Sequence, residues 1–377
     1  MNDHTTQKAS LSATKPLPQL EQISTLRMVF DDGGPGFCQF AINNACNARC
    51  GFCNFAVDKL PKANWKYVDH DGALEAVDIL YRQGVRYLVI TGGEPMLHPA
   101  LTSIVERAAS LKMKVMLVTN GSLLKTRRIH ELAEAGLSSF IISIDAASEE
   151  VHEGNRGLPG VCERIRDANW LIKRLGLYAT ASVTMSHLVD YQALPEFLDS
   201  LGFTSVTFSY PLERLGSNFL GYSEAGLVSF AKEDLIEAFE QVKRLKKRFR
   251  VVNPMPSLEE MQRFLRNEEQ RFPCLGGYKY FYLDWDLMLW RCHNWETPMC
   301  SIYEFDGSQR VRDGCTRCMI DCYRDSSVMH HIGLSVHDAY QALRSGELGE
   351  AAKALMRRGN LGSIRAVLEE VPWLLRF

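Results

Sequence analysis

Three cysteines, Cys46, Cys50 and Cys53, crowd one short stretch, C-N-A-R-C-G-F-C. Three thiolates on one loop can hold three irons of a cubane cluster and leave the fourth iron open to a small molecule. Structural zinc wants four ligands, and no further His or Cys lies close by in sequence to complete a tetrahedron. A disulfide would leave one of the three thiols unpaired and needs an oxidising compartment. A second candidate is Gly92-Gly93-Glu94, inside T-G-G-E-P. Paired glycines let a ligand approach the backbone, and Glu94 can accept hydrogen bonds from an ammonium group. Gly-Gly turns are also common structural devices, so position decides their weight.

A second group of thiols, Cys274, Cys292, Cys300, Cys315, Cys318 and Cys322, lies late in the chain. The chain has eleven cysteines and no apolar stretch resembling a signal peptide. In a reducing cytosol such cysteines are metal ligands or redox groups more often than disulfides, and a cytoplasmic location is expected. Cys38 and Cys162 stand apart and read as buried small hydrophobes.

These residues need elements to position them. Strand patterns at 38–42, 87–91, 114–119, 140–144, 179–184 and 205–209 are short and read as apolar on both faces, as parallel strands covered by helices would be. Helical patterns at 71–83, 101–111, 124–135, 161–175 and 193–201 alternate with them. Polar residues gather where the strands end: Thr91, Thr119, Ser143 with Asp145, Thr184 and Ser209. A polar rim drawn from many strand ends is the pattern of a β/α barrel's active face. Six strands give a partial (β/α)6 TIM-like barrel, open on one side. The thiol loop follows the first strand, and the Gly-Gly turn comes one βα unit later on the same rim.

The expected organisation is a flexible tail over 1–30, the barrel over 31–250, a small cysteine-bearing domain with a β-hairpin near 278–290 over 251–330, and two helices over 331–377 broken near 359–362. Apolar residues make up 46% and charged residues 23% of the 377, the profile of a globular protein. A net charge of −2 offers no electrostatic reason for a nucleic-acid partner, and no apolar run is long enough for a membrane span.

The Cys-x3-Cys-x2-Cys loop with Phe52 before its last cysteine, followed by Gly92-Gly93-Glu94-Pro95, resembles the radical S-adenosylmethionine (SAM) superfamily. The resemblance covers about 37–210. It implies that a [4Fe–4S] cluster on Cys46, Cys50 and Cys53 binds SAM and cleaves it to a 5′-deoxyadenosyl radical that abstracts hydrogen from substrate. It also implies SAM contacts from Gly92, Gly93, Glu94, Ser143, Asp145 and Arg156, and an electron donor of the flavodoxin or ferredoxin type. The late cysteines are similar to the auxiliary-cluster domains called SPASM and twitch, although the glycine usual before the second cysteine is Leu287 here. That resemblance implies one auxiliary [4Fe–4S] cluster on Cys274, Cys292, Cys315 and Cys318, with Cys322 a competing ligand and Cys300 a bystander. Structural zinc on Cys315 and Cys318 is the alternative.

Twitch-type relatives include dehydrogenases of sugar and aminocyclitol alcohols, so a small-molecule oxidation is the expected activity. Peptide (RiPP) maturation is the rival, lowered because about thirty-five residues before the first strand are too few for a leader-binding domain. Lipid or isoprenoid modification, or a non-catalytic iron–sulfur sensor, are the others. His187, Tyr210, Glu213, Arg214 and His293 lie near the expected site, each as readily structural. The C-terminal segment carries Arg344, Lys353, Arg357, Arg358 and Arg365 beside Leu and Val. Glu347, Glu350, Glu369 and Glu370 dilute that charge, and the segment is expected to pack on its own protein rather than lie on a membrane.

Overall fold

The computed structural model describes residues 25–221 and 226–374. Residues 1–24 of the expected tail lie outside the described residues. The strands are β1 (Gly36–Ala41), β2 (Val85–Thr91), β3 (Lys114–Thr119), β4 (Ser139–Ile144), β5 (Tyr178–Thr184), β6 (Ser205–Ser209), β7 (Arg250–Val251), β8 (Tyr280–Leu283), β9 (Met288–Trp290) and β10 (Cys300–Ser301). The helices are α1 (Thr25–Asp32), α2 (His70–Arg82), α3 (Leu101–Ser110), α4 (Thr126–Glu134), α5 (Glu149–Arg156), α6 (Val161–Arg174), α7 (Leu194–Ser200), α8 (Lys232–Leu245), α9 (Met255–Leu265), α10 (Asp321–Arg344), α11 (Leu348–Leu355) and α12 (Asn360–Leu374).

All ten strands form one sheet in the order β10-β9-β8-β1-β2-β3-β4-β5-β6-β7. β1 to β7 run parallel in chain order, each step made by a crossover, which is the arrangement that repeated βα units produce. β7 and β10 remain edges, so the sheet is a partial barrel. The six expected strands form. β7 escapes the sequence pattern because it is two residues long. The expected hairpin forms as β8 and β9, and β8 lies parallel beside β1, so the hairpin extends the barrel sheet. Leu287, in its turn, has φ 59°, the left-handed conformation that glycine tolerates best.

The core lies between the sheet and the outer helices. Phe40, Leu88, Ile90, Leu117, Phe140 and Ile142 are completely buried there. β5 and β6 depart from the expectation of two apolar faces. Ala181, Val183, Val206 and Phe208 enter the core, while Thr180, Ser182, Thr184, Thr207 and Ser209 face the barrel interior. The small β-branched or hydroxylic side chains that mark a strand equally suit a polar lining, and only closure of the sheet decides between the two.

The C-terminal region has three helices rather than two. α10 begins at Asp321, inside the cysteine-rich stretch, and runs for 24 residues. Its buried residues include Tyr323, Arg324, Ser327 and Ser335, so it shows no clean apolar stripe for a sequence pattern to find.

Candidate active site

The thiol loop leaves β1 and is tied down on every side. Gly93 N donates to Asn43 O (3.1 Å) and Glu94 N to Ala45 O (2.7 Å), which pins the end of β2 to the start of the loop. A Cβ at Gly92 would stand 2.2 Å from Asn43 O, and one at Gly93 would stand 2.2 Å from Ala45 O. Only glycine permits that approach. On the far side, Arg49 N donates to Arg156 O (2.7 Å) and Gly51 N to Asn155 Oδ1 (3.1 Å). Asn47 is held between Asn120 and Ser122, each at 2.9 Å.

Cys46, Cys50 and Cys53 all line one cavity of about 510 Å³, together with Gly92, Gly93 and Arg156. Burial raises all three thiol pKa values, Cys46 to about 12; Cys50 also raises Cys46, and both raise Cys53. Three buried thiols bind metal only as thiolates, and a polycationic cluster supplies the charge that stabilises them. Among the described residues no group of three His, Cys, Asp or Glu converges on a single ion. A cubane asks for something different, one thiolate per iron spread around its faces. The donor set and the glycine cradle therefore fit a cluster with a ligand lying against backbone.

The acidic candidates are engaged. Glu94 is fully buried; its carboxylate accepts from Met96 N (3.0 Å), Thr119 Oγ1 (2.9 Å) and Asn120 N (2.7 Å). These bonds brace the turn beside the Gly92-Gly93 cradle and leave the carboxylate with acceptor capacity to spare. Asp145 accepts from Asn155 Nδ2 (2.7 Å) and Arg156 Nη2 (2.6 Å). Arg156 keeps a buried Nε with no partner among the described residues, and Ser143 opens on the cavity. The helix carrying Asn155 and Arg156, α5, was not anticipated, although Ser148 before two glutamates is a legible N-cap.

The late cysteines converge through a contact that spacing does not reveal. Arg291 donates to Asp313 (2.7 Å), drawing Cys292 to the 315–318 turn, and Cys274 N donates to Cys315 O (2.8 Å). Cys274, Cys292 and Cys318 share an apolar cluster with Cys322. Cys292 and Cys318 both feel Cys274, and Cys318 also feels Cys315. Cys322 stands on the cavity side beside Asp321, whose pKa is raised to about 6 by burial. Cys300 has Glu304 and Asp306, rather than thiols, as its charged neighbours.

Of the other candidates, His187 bonds Ser229 O (2.7 Å) and stacks on Phe230, and Glu213 accepts from Ser229 (2.6 Å). Tyr210 N donates to Asp321 (2.9 Å). His293 lines the cavity, stacked on Phe219, with its pKa lowered to about 3 by burial.

Residues 40–201 match the family model described as the radical SAM superfamily. The chain carries a radical SAM domain. Its cofactors are a [4Fe–4S] cluster and SAM. Over 138 residues the chain is 30% identical to the AdoMet-dependent heme synthase of Methanosarcina barkeri, covering 36% of this chain and 39% of that one. The match thus spans well under half of that relative. Native anSMEcpe with bound AdoMet superposes with a TM-score of 0.53 at 13% identity, over 90% of this chain and 98% of that one. SuiB of Streptococcus suis gives 0.55 at 16% identity, over 76% and 68%. Both are likenesses of fold, and they extend well beyond the radical SAM domain.

Proposed function

We propose that the protein is an enzyme that uses SAM to abstract hydrogen from an unactivated C–H bond of a small polyhydroxylated substrate, a sugar or aminocyclitol, with overall oxidation. One observation carries the reading: the thiol loop, the Gly92-Gly93 cradle and the hydroxyl wall of β5 and β6 open on a single cavity. Cys46, Cys50 and Cys53 would hold three irons, and the Gly92-Gly93 backbone would receive the methionine end of SAM. When bound, cluster and SAM supply the 5′-deoxyadenosyl radical. Ser143 and Arg156 would orient SAM beside them.

Thr180, Ser182, Thr184, Thr207 and Ser209 each both donate and accept, which suits a substrate bearing several hydroxyls. Asp321 projects into the same space, and its carboxylate can take the proton that an alcohol releases as it becomes a carbonyl. Cys274, Cys292, Cys315 and Cys318 would hold an auxiliary [4Fe–4S] cluster behind Cys322, where an electron acceptor is needed. A flavodoxin or ferredoxin would supply the first electron.

The test uses anaerobically reconstituted protein with dithionite and SAM. A polyol or aminocyclitol substrate should raise deoxyadenosine formation and appear as a product two hydrogens lighter. Cys46→Ala/Cys50→Ala/Cys53→Ala should abolish both. Persistent SAM cleavage in that variant would remove the thiol loop from the reading, and a substrate panel without effect would remove the polyol.

A further inference from the structure

Beyond β9 the chain reaches His293, which lines the cavity with only 4% of its surface exposed. Three aromatic neighbours fix its ring plane. Phe219 stacks on it, with centroids 4.2 Å apart and 6° between the planes. Tyr282 and Tyr323 meet it nearly at right angles, with centroids at 4.6 Å and 5.4 Å. The cage is itself tied down. Ser217 N donates to His293 O (3.0 Å), and Tyr282 Oη donates to Asn218 Oδ1 (3.1 Å), whose amide nitrogen donates to Asp284 (2.6 Å). Phe219 also packs edge-on against Phe55 of the thiol loop (5.2 Å). The imidazole is held in one orientation.

Its polar atoms are not served by that cage. Nε2 is buried and has no hydrogen-bond partner among the described residues. A phenylalanine would satisfy the same three aromatic contacts without a nitrogen to desolvate. Leaving a buried polar group unpaired costs stability, and folds tolerate it where function requires the group. SAM does not account for it. The residues expected to touch SAM follow β2, lie in β4 or sit on α5, whereas His293 follows β9, with β8 and β1 between in the sheet. The hydroxyl wall of β5 and β6 lines the same cavity as His293.

We propose that His293 is a specificity-determining residue of the cavity, its imidazole hydrogen-bonding one hydroxyl of the substrate. The assignment rests on the reading of the cavity as a polyol site. An imidazole nitrogen that carries hydrogen donates and one that does not accepts, and a hydroxyl can answer either. An analogue lacking that hydroxyl leaves the imidazole unpaired, while one presenting it supplies the missing bond. A ring that cannot turn away makes the difference count.

Kinetics with reconstituted protein, dithionite and SAM test this on myo-inositol, streptamine and their single-deoxy analogues. His293→Phe keeps the stack and removes the nitrogens, while His293→Gln returns an amide nitrogen near the place of Nε2. His293→Phe should raise KM by about tenfold or more, the scale of one hydrogen bond, and His293→Gln should recover most of that loss. At one ring position, removing the hydroxyl should lower kcat/KM about tenfold in wild type and less than about threefold in His293→Phe, where the bond is already gone. Urea unfolding of the full chain gives a readout without substrate: the midpoint of His293→Phe should hold or rise, since an unpaired nitrogen has been removed. The proposal is overturned if wild type and His293→Phe respond alike to every deoxy analogue, or if both variants lose stability while KM stays as in wild type. If neither polyol raises deoxyadenosine formation in wild type, the polyol reading fails and takes this assignment with it, whereas equal responses to the analogues overturn the assignment alone.

Discussion

Arg156 donates to Asp145 at 2.6 Å with both side chains almost wholly buried, and the same helix end accepts from the thiol loop at Arg49. The ion pair thus joins the end of β4 to the loop that carries Cys50. Removing one member of a buried pair leaves an uncompensated charge and costs about 3–5 kcal/mol. Arg156→Met should lose that much stability in urea unfolding, and adding Asp145→Asn should restore a good part of it. Equal losses in the single and double variants would deny the coupling.

Gly93 supplies a sharper test of the cradle. Gly93→Ala sets a Cβ against the backbone oxygen of Ala45, which cannot swing away. SAM cleavage should fall by a factor of about 100 or more, the scale of a misplaced reacting group. Gly154→Ala is the control: its Cβ meets nothing within 4 Å, and helix propensity should raise stability by up to about 1 kcal/mol with cleavage unchanged.

The two late cysteines closest to the question, Cys318 and Cys322, should separate by metal content. Fully reconstituted protein should carry about eight irons per chain, two cubanes. Cys318→Ala should drop toward four, while Cys322→Ala, on the cavity side, should keep all eight. Four irons with one zinc in the unaltered protein would instead support structural zinc at Cys315 and Cys318.

Acid should destabilise the fold through His152. It is fully buried, its Nδ1 accepts from Asp145 N (3.1 Å), and burial lowers its pKa from 6.5 to about 4. With the folded pKa below the unfolded one, the unfolded chain binds more protons between pH 6.5 and 4, so stability falls as pH falls through that window. The loss between pH 7 and 5 is about 2 kcal/mol for this one group. His152→Asn keeps an acceptor toward Asp145 N and cannot titrate. Its urea midpoint should change less over that interval, and an unchanged slope would place the acid sensitivity elsewhere.

Sequence alone determined what is local. Cys46, Cys50 and Cys53 are neighbours on one loop whatever the rest of the chain does, and β/α alternation with capping glycines follows from period and propensity. Tertiary structure decided what depends on where distant segments meet. Arg291 and Asp313 bring Cys292 to Cys315 and Cys318 across a gap that spacing cannot bridge. Sheet curvature turns Thr180, Ser182 and Thr184 from ordinary strand residues into a cavity wall. Glu94 reads in the sequence as an acceptor beside a Gly-Gly turn, and only the fold shows Met96, Thr119 and Asn120 donating to its carboxylate. Glu369 and Glu370 looked like surface charge until Lys246 and Arg250 were seen to hold them inward. A carboxylate's role is set by the cation or donor nearest in space, and sequence order does not encode that neighbour.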